Sequence, residues 1–319
     1  LERMTWQEFQ AEWTGPETDI VCRTSGSTGT PKEIRLPKEQ VSASARRTLQ
    51  FFNLDSHSHF HSCLAPDYIG GKMMMVRALE CGGSFTWEHP SNRPLSDYTG
   101  GQIDLLCVVP SQMSHILQNI DTLPELGAIL IGGSPIPDDL RIQIAQSRLQ
   151  CWETYGMTET ASHVAIRRVS KPQQPFRPLS GIKLLQNDSG CLEIEIPGWR
   201  RFITNDVVKM DSESRFSILG RADNVIITGG LKVHPEQVEA TLRPHLPFDF
   251  MITSQPDPKW GERVVMLADR SKTSASGTLD DENIKAICKS VLLPFQVPKT
   301  IKEGIVPRTP NGKLARRRK

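Results

Sequence analysis

Two short apolar runs, Ile103–Val109 (IDLLCVV) and Ala128–Ile131 (AILI), constrain the fold most. Each is bounded by Pro or Gly, and neither alternates with polar residues. That is the texture of strands buried on both faces of a parallel sheet. A helical stretch, Ser111–Ile120, lies between them. A second helix starts at Pro137, whose Asp138-Asp139 suits a helix N-terminus, with Leu140, Ile144 and Leu149 inside. Lys38–Phe52 sets Val41, Ala45, Leu49 and Phe52 on one face at helical spacing. Strands alternating with helices predict an α/β layered core.

The 319 residues are enough for a sizeable core and two domains. From Lys171 to Gly198 the chain turns to Pro, Gly and short alternating runs such as Cys191–Ile196 (CLEIEI), a β-rich segment. A smaller α+β unit follows. It has strands at Val225–Thr228, Phe250–Thr253 and Arg263–Ala268, a helix over Pro235–Arg243, and a helix bearing Ile284, Ile287, Cys288 and Val291. The expected domains are 1–220 and 221–319.

Composition removes several function classes. A net charge of +2 demands neither nucleic acid nor an anionic membrane. No apolar run reaches the roughly 18 residues of a membrane span. No signal peptide is visible, so a cytoplasmic location is expected. Seven scattered cysteines without a CxxC pair predict buried, reduced thiols rather than a disulfide framework or zinc site. The basic end, Arg316–Lys319, reads as a solvated tail, with phosphate attraction the other reading. His57, His59 and His61 alternate, which fits an exposed strand face or, less well, a metal site, since no carboxylate or Cys is spaced with them.

The chemistry concentrates in six segments. Thr24-Ser25-Gly26-Ser27-Thr28-Gly29-Thr30-Pro31-Lys32 follows a short strand at Asp19–Arg23. Its glycines let backbone amides approach phosphate oxygens, its hydroxyls add donors, and Lys32 adds charge. It lacks the Walker pattern, because Pro31 stands where the second Gly belongs. Taken alone it could also be a flexible polar turn. Gly132-Gly133-Ser134-Pro135 follows an apolar strand, where flat backbone could face a purine ring. Tyr155-Gly156-Met157-Thr158-Glu159-Thr160 offers an aromatic face, hydroxyls and a carboxylate suited to magnesium. Thr204-Asn205-Asp206 places a carboxylate suited to ribose hydroxyls. Gly220–Asn224 (GRADN) leads into Thr228–Glu236, and Pro307–Lys313 (PRTPNGK) sets one Lys on a turn near the C-terminus.

In this order the segments resemble the adenylate-forming superfamily of acyl-CoA synthetases, luciferases and peptide-synthetase adenylation domains, over nearly all of the chain. The resemblance implies an adenylation core with a small mobile C-terminal domain, and ATP, magnesium and coenzyme A as small-molecule partners. It implies that Thr24, Ser25, Gly26, Ser27, Thr28, Gly29 and Lys32 hold the ATP phosphates. Gly132, Gly133, Ser134, Tyr155 and Gly156 would frame the adenine. Thr158 would contact phosphate and carboxylate, and Glu159 would bind magnesium. Asp206 and Arg221 would hold the ribose, and Lys313 would bridge the carboxylate and α-phosphate. Asp223 would be the hinge, with Gly229, Gly230, Leu231 and Lys232 receiving the pantetheine arm. Two departures stand out. The chain begins shortly before the phosphate loop, so the superfamily's large N-terminal subdomain is expected to be missing, and the ribose motif reads Thr-Asn-Asp where Thr-Gly-Asp is common.

The phrases YIGGKMMMVRAL and YGMTETASHVAIRR narrow the resemblance to 2-succinylbenzoate–CoA ligases of menaquinone biosynthesis, in their compact bacterial form. The acid pocket is then expected from Tyr68, Gly71, Lys72, Ser162 and His163, with Gly133 nearby. The Met73–Met75 run is core or pocket wall. Fatty or aryl acid–CoA ligation, a stand-alone adenylation enzyme, and a non-catalytic nucleotide-binding protein remain the alternatives.

Overall fold

A computed structural model describes residues 4–23, 33–211, 214–271, 279–308 and 314–316. The chain forms two compact units. The first comprises Leu1–Leu184, Glu195–Arg201 and Asp211–Phe216, the second Leu185–Ile194, Phe202–Met210 and Ser217–Lys319.

The first unit opens with α1 (Trp6–Thr14), whose start is fixed by a reciprocal capping box between Thr5 and Glu8. A hairpin of β1 (Asp19–Arg23) and β2 (Glu33–Pro37) leads into α2 (Lys38–Phe52). The bounds of α2 match the periodicity in the sequence, and it buries Val41, Ala45, Thr48 and Leu49. Its end is set by Asn53 in the left-handed region (φ 53°), a role Asn fills more cheaply than most residues.

Next come β3 (His59–Ser62), α3 (Ile69–Cys81), β4 (Ser84–Trp87), β5 (Ile103–Val108), α4 (Pro110–Gln118), β6 (Leu126–Ile131), α5 (Asp138–Gln146), β7 (Gln150–Met157), β8 (Ser162–Arg168) and β9 (Arg177–Pro178). They build a seven-stranded sheet in the order β4-β3-β5-β6-β7-β8-β9, parallel from β4 to β7 and antiparallel beyond. Two apolar layers cover it. One holds Leu106, Val108, Met113, Ile116, Ile129, Ile131, Leu140 and Ile144 from β5, β6, α4 and α5. The other joins Trp6, Phe9, Ile20, Val41, Ala45, Met73 and Met75 from α1, the hairpin, α2 and α3. Met73, Met74 and Met75 are therefore core residues.

The histidine strand departs from the sequence reading. His61 is 2% exposed, because β3 lies inside the sheet, between β4 and β5, rather than on an open face. Its Nδ1 is 2.8 Å from Thr86 Oγ1, its Nε2 faces Glu88 at 3.7 Å, and its ring packs edge-on against Tyr98. Ser84 and Thr86 meet both ring nitrogens of His59 and one of His61, whose Nε2 has no hydrogen-bond partner among the described residues, and no group of three metal-capable side chains forms among them.

A second sheet runs β10 (Lys183–Gln186), β11 (Cys191–Glu195), β12 (Phe202–Met210) and β13 (Phe216–Arg221), and falls for the most part in the second unit. Beyond it, β14 (Ile226–Thr228), β15 (Leu231–Val233), α6 (Pro235–Leu242), β16 (Asp249–Asp257), β17 (Gly261–Asp269), α7 (Asp281–Val291) and β18 (Thr300–Glu303) close the α+β end. Its sheet runs β15-β14-β17-β16, with β18 parallel to β17, and α6 and α7 seal a core of Val238, Leu242, Phe250, Ile252, Val264, Met266 and Ile284. The seven cysteines are free, six of them buried. No helix among the described residues is long and apolar enough to cross a membrane.

Candidate active site

In the first unit's sheet the chain passes from β3 outward to β4 and then returns to place β5 on the other side of β3. Such a reversal leaves a crevice at the carboxyl ends of the strands, the usual ligand position in open α/β sheets. Three connections meet there. Gln112 of α4 ties two of them, donating to the Cys63 and Ser91 carbonyls and accepting the Val109 N–H at 3.0 Å. The third is Gly132-Gly133 after β6. Gly132 N–H donates to Val108 C=O (3.1 Å), and a Cβ on Gly132 would stand 2.6 Å from Thr154 Oγ1. Gly133 has φ +83°, which only glycine adopts cheaply. This stretch presents backbone without a side chain of its own.

The Tyr155–Thr160 segment lies at the carboxyl end of β7, the strand beside β6. Tyr155 is mostly buried, its ring 5.0 Å from Phe216 and 5.8 Å from Phe176. Gly156 sits at a register shift between β7 and β8, where a Cβ would lie 2.2 Å from the Ser162 carbonyl. A 3-10 turn, Thr158–Thr160, follows. Ala161 (φ 48°) and Ser162 (φ 84°) then hold two successive non-glycine residues in the left-handed region. Such backbone costs on the order of 1–3 kcal/mol per residue and persists only where neighbours enforce it. Here Thr160 Oγ1 accepts the Met157 N–H and bonds the Ser162 carbonyl (2.8 Å), and Ser44 of α2 donates to Ala161 C=O at 2.7 Å. The enforced turn keeps Thr158 and Glu159 partly exposed at the carboxyl end of β7. One carboxylate on a rigid turn fits magnesium carried mainly by substrate phosphates, because that ion is commonly held by one or two protein carboxylates. Beneath it, Glu153 is buried between Arg141 (2.9 Å) and Arg167 (2.7 Å), and Arg167 covers Phe176 at 4.0 Å.

The residues expected to hold the acid are placed unequally. Gly71 is required by packing, since a Cβ there would stand 2.2 Å from the Ala65 carbonyl. Tyr68 is half exposed. Lys72 is fully buried, with Nζ 2.9 Å from Glu12 and 4.0 Å above the Phe9 ring. Its charge is already neutralised against α1. His163 Nε2 is 3.2 Å from Thr48 Oγ1, and Ser162 Oγ is 3.4 Å from its Nδ1. Burial, helped by the nearby Arg77 cation, pushes the His163 pKa well below 6.5, so the ring is neutral at pH 7.

Sequence reasoning did not single out Arg77. It lies one turn beyond Met73–Met75 on α3 and is 1% exposed. Its Nη1 reaches only the sulfurs of Met74 (3.6 Å) and Cys107 (3.8 Å), while Nε and Nη2 have no hydrogen-bond partner among the described residues. A guanidinium buried without a carboxylate is strongly unfavourable. The available signal was a lone charge inside the apolar run MMMVRAL.

In the second unit, Arg221 Nη1 pairs with Asp206 at 3.2 Å and Nη2 with Asp223 at 3.5 Å, and Asn205 donates to Asp223 at 3.2 Å. The residues expected at the ribose and the hinge thus form one exposed cluster. The β14–β15 hairpin turns on Gly229 (φ 57°) and Gly230 (φ 80°), with Leu231 and Lys232 exposed. Trp260 lies against it: Gly229 N–H donates to the Trp260 carbonyl at 2.9 Å, and a Cβ on Gly229 would be 2.7 Å from the indole. Trp260 is 46% exposed, a second residue the motif reading did not include. Thr24–Lys32 and Lys313 lie outside the described residues.

Residues 5–191 match the AMP-binding enzyme family. The chain belongs to that family. Among curated relatives, the 2-succinylbenzoate–CoA ligase of Listeria monocytogenes is 24% identical over 338 residues, covering 97% of this chain and 71% of that protein. Among solved structures, an acyl-CoA synthetase (AMP-forming)/AMP-acid ligase II-like protein from Dyadobacter fermentans is 31% identical, with a TM-score of 0.65 over 96% of this chain and 90% of that one. The o-succinylbenzoate CoA synthetase of Bacillus subtilis, in complex with the acyl-adenylate intermediate, has a TM-score of 0.78 at 19% identity, covering 94% of this chain and 69% of that one. The chain is thus an AMP-binding enzyme with the α/β adenylation fold. Its length is close to that of the Dyadobacter protein and about seven tenths of the Listeria ligase.

Proposed function

We propose that this AMP-binding enzyme is a cytoplasmic, AMP-forming acid–CoA ligase acting on 2-succinylbenzoate. The observation that carries the choice of acid is Arg77. 2-Succinylbenzoate has two carboxylates, and the one that does not react cannot be buried bare. A buried guanidinium with no carboxylate partner among the described residues could supply the missing partner, as a charge-assisted and often bidentate contact. A fatty acid would leave that cation unsatisfied. Lys72, neutralised by Glu12, is left out of this role. Ser162 and neutral His163 add hydrogen bonds rather than charge, and Tyr68 and Gly71 border the same helix start. The names of the curated relatives support the same acid.

The chemistry follows from charge. In the first step a carboxylate oxygen attacks the α-phosphorus of ATP, and pyrophosphate leaves. Carboxylate and polyphosphate repel each other, so cations must screen them. The Thr24–Lys32 loop is assigned to the phosphates, Gly132–Ser134 with Tyr155 and Gly156 to the adenine, and Asp206 with Arg221 to the ribose. Glu159 would hold magnesium, which supplies charge neutralisation at the phosphates when bound. Thr158 and Lys313 are assigned to the reacting carboxylate and α-phosphate. In the second step the thiol of coenzyme A attacks the acyl carbon, its proton is released, and AMP leaves. Gly229–Lys232 and the exposed Trp260 are assigned to the pantetheine side, after rotation about Asp223 withdraws Lys313.

Arg77→Met tests the assignment of the acid. The variant should use 2-succinylbenzoate about tenfold less well or worse, the scale of one lost charge-assisted contact. It should use the analogue with hydrogen in place of the benzoate carboxylate as wild type does, and should unfold at a higher temperature without ligand, having lost a bare buried charge. Equal losses on both acids would remove Arg77 from the site.

A further inference from the structure

Two arginines from different elements meet one buried carboxylate in the first unit. Glu153 of β7 is 5% exposed. Its Oε2 lies 2.7 Å from Arg167 Nη2 and 2.8 Å from Arg167 Nε on β8, and 2.9 Å from Arg141 Nη2 on α5. One guanidinium would neutralise Glu153. A second leaves a surplus buried charge, which is costly, so charge balance does not account for both.

The two arginines differ in what else they touch. Arg167 Nη1 donates to the Gln174 carbonyl at 3.2 Å, and the guanidinium lies 4.0 Å above the Phe176 ring. Among the described residues Arg141 covers no ring, and its Nε and Nη1 have no hydrogen-bond partner. From Phe176 the contacts run on. Its backbone exchanges two hydrogen bonds with Phe216, at 2.7 and 3.0 Å, and the two rings stack with centroids 5.2 Å apart and planes 23° from parallel. Tyr155 stands edge-on to Phe216 and tilted against Phe176. The Tyr155 ring therefore rests on a stacked pair of phenylalanines, one of which Arg167 holds.

We infer that Arg167 is a positioning residue for Tyr155, acting through Phe176. The inference rests on the reading of Tyr155 as the ring that meets the adenine. A stacking surface contributes fully only when its plane is fixed beforehand, because a ring ordered on binding gives back part of the gain. Arg167 suits that task. Glu153 and the Gln174 carbonyl hold the guanidinium by its edge, and its flat face then holds Phe176, in a buried setting where such contacts are strongest. A lysine would keep the charge beside Glu153 but has no plane to lay on the ring.

The variants are Arg167→Lys and Phe176→Leu, the second leaving all three charges in place, with Arg141→Lys and Tyr155→Leu as references. Each is titrated with AMP by calorimetry, which needs no acid, and its thermal midpoint is recorded. ATP–pyrophosphate exchange with 2-succinylbenzoate is measured over a range of ATP. Arg167→Lys and Phe176→Leu should bind AMP about five- to twentyfold less tightly, within what one base–aromatic stack supplies. In exchange, the KM for ATP should rise by a similar factor while kcat stays near wild type, the pattern of lost binding rather than lost chemistry. Arg141→Lys should bind AMP as wild type does. Phe176→Leu carries the test if Arg167→Lys does not fold. Wild-type AMP affinity in Arg167→Lys or Phe176→Leu overturns the inference alone. So does an equal loss in Arg167→Lys and Arg141→Lys, which a merely structural ion cluster would give. Wild-type AMP affinity in Tyr155→Leu overturns the adenine reading, and the inference with it. Absence of exchange in the wild-type protein counts against the choice of acid, and the AMP titrations then decide the inference.

Discussion

Arg77 and Lys72 share one helix and are both buried, yet among the described residues only Lys72 has a carboxylate partner. The sequence shows two charges in an apolar run and cannot say which is paired, because Glu12 lies on a different helix. His163 belongs to the same neighbourhood and carries a pH prediction. Its pKa is depressed in the folded protein by burial and by Arg77, from the usual 6.5. Below pH 6.5 the unfolded chain therefore binds a proton that the folded one does not. The stability is full above pH 6.5 and declines as the pH falls, by no more than about 1.4 kcal/mol per pH unit for this one group. His59 and His234 shift in the same direction, so the decline is shared. Urea unfolding at pH 7, 6 and 5 should show falling stability, and His163→Asn should flatten part of the slope. An unchanged slope in that variant would mean the ring is protonated in the fold.

At the scale of elements, what was legible followed from local pattern. The helix over Lys38–Phe52 and the strands around Ile103 and Ala128 are set by periodicity and by flanking Pro and Gly, both local. The burial of His61 and the pairing of Arg316 with Glu239 of α6, in place of a solvated tail, were not legible, because each depends on an element distant in sequence. The left-handed pair Ala161-Ser162 has no residue-type signal either, being held by Ser44 and Thr160. Helix α1 is the clearest such long-range device. Glu12 accepts the Val21 N–H at 2.7 Å and the Lys72 ammonium at 2.9 Å, joining α1 to β1 and α3. Glu12→Ala leaves the ammonium buried and bare, and should cost about 3–5 kcal/mol. Lys72→Met leaves the more exposed Glu12 with its backbone donor and should cost clearly less. Chemical denaturation of both variants checks the order, and an equal or reversed order would show that the pair does not hold α1 in place.

For the molecule as a whole, the motif order along the chain announced the family before any contact was known. In the proposed reading the motifs bind shared substrates through backbone and a few side chains, so they are readable as words. In the proposed reading the acid's identity was less readable, since it depends on which buried charge lacks a partner, a property of packing. The two-step chemistry also makes a demand on the hinge. Asp223 follows Arg221 in the exposed Asp206–Arg221–Asp223 cluster, and proline there would restrict both its own φ and the residue before it. Asp223→Pro should impair one half-reaction far more than the other, and equal rates for both would remove rotation about Asp223. The central claim is that this chain adenylates a dicarboxylate aromatic acid. ATP–pyrophosphate exchange with the wild-type protein tests it most directly, over 2-succinylbenzoate, its analogue lacking the benzoate carboxylate, benzoate, and a long-chain fatty acid. 2-Succinylbenzoate should support the fastest exchange, ahead of the analogue by about tenfold or more. Faster exchange with the fatty acid, or none with any acid, would contradict the account.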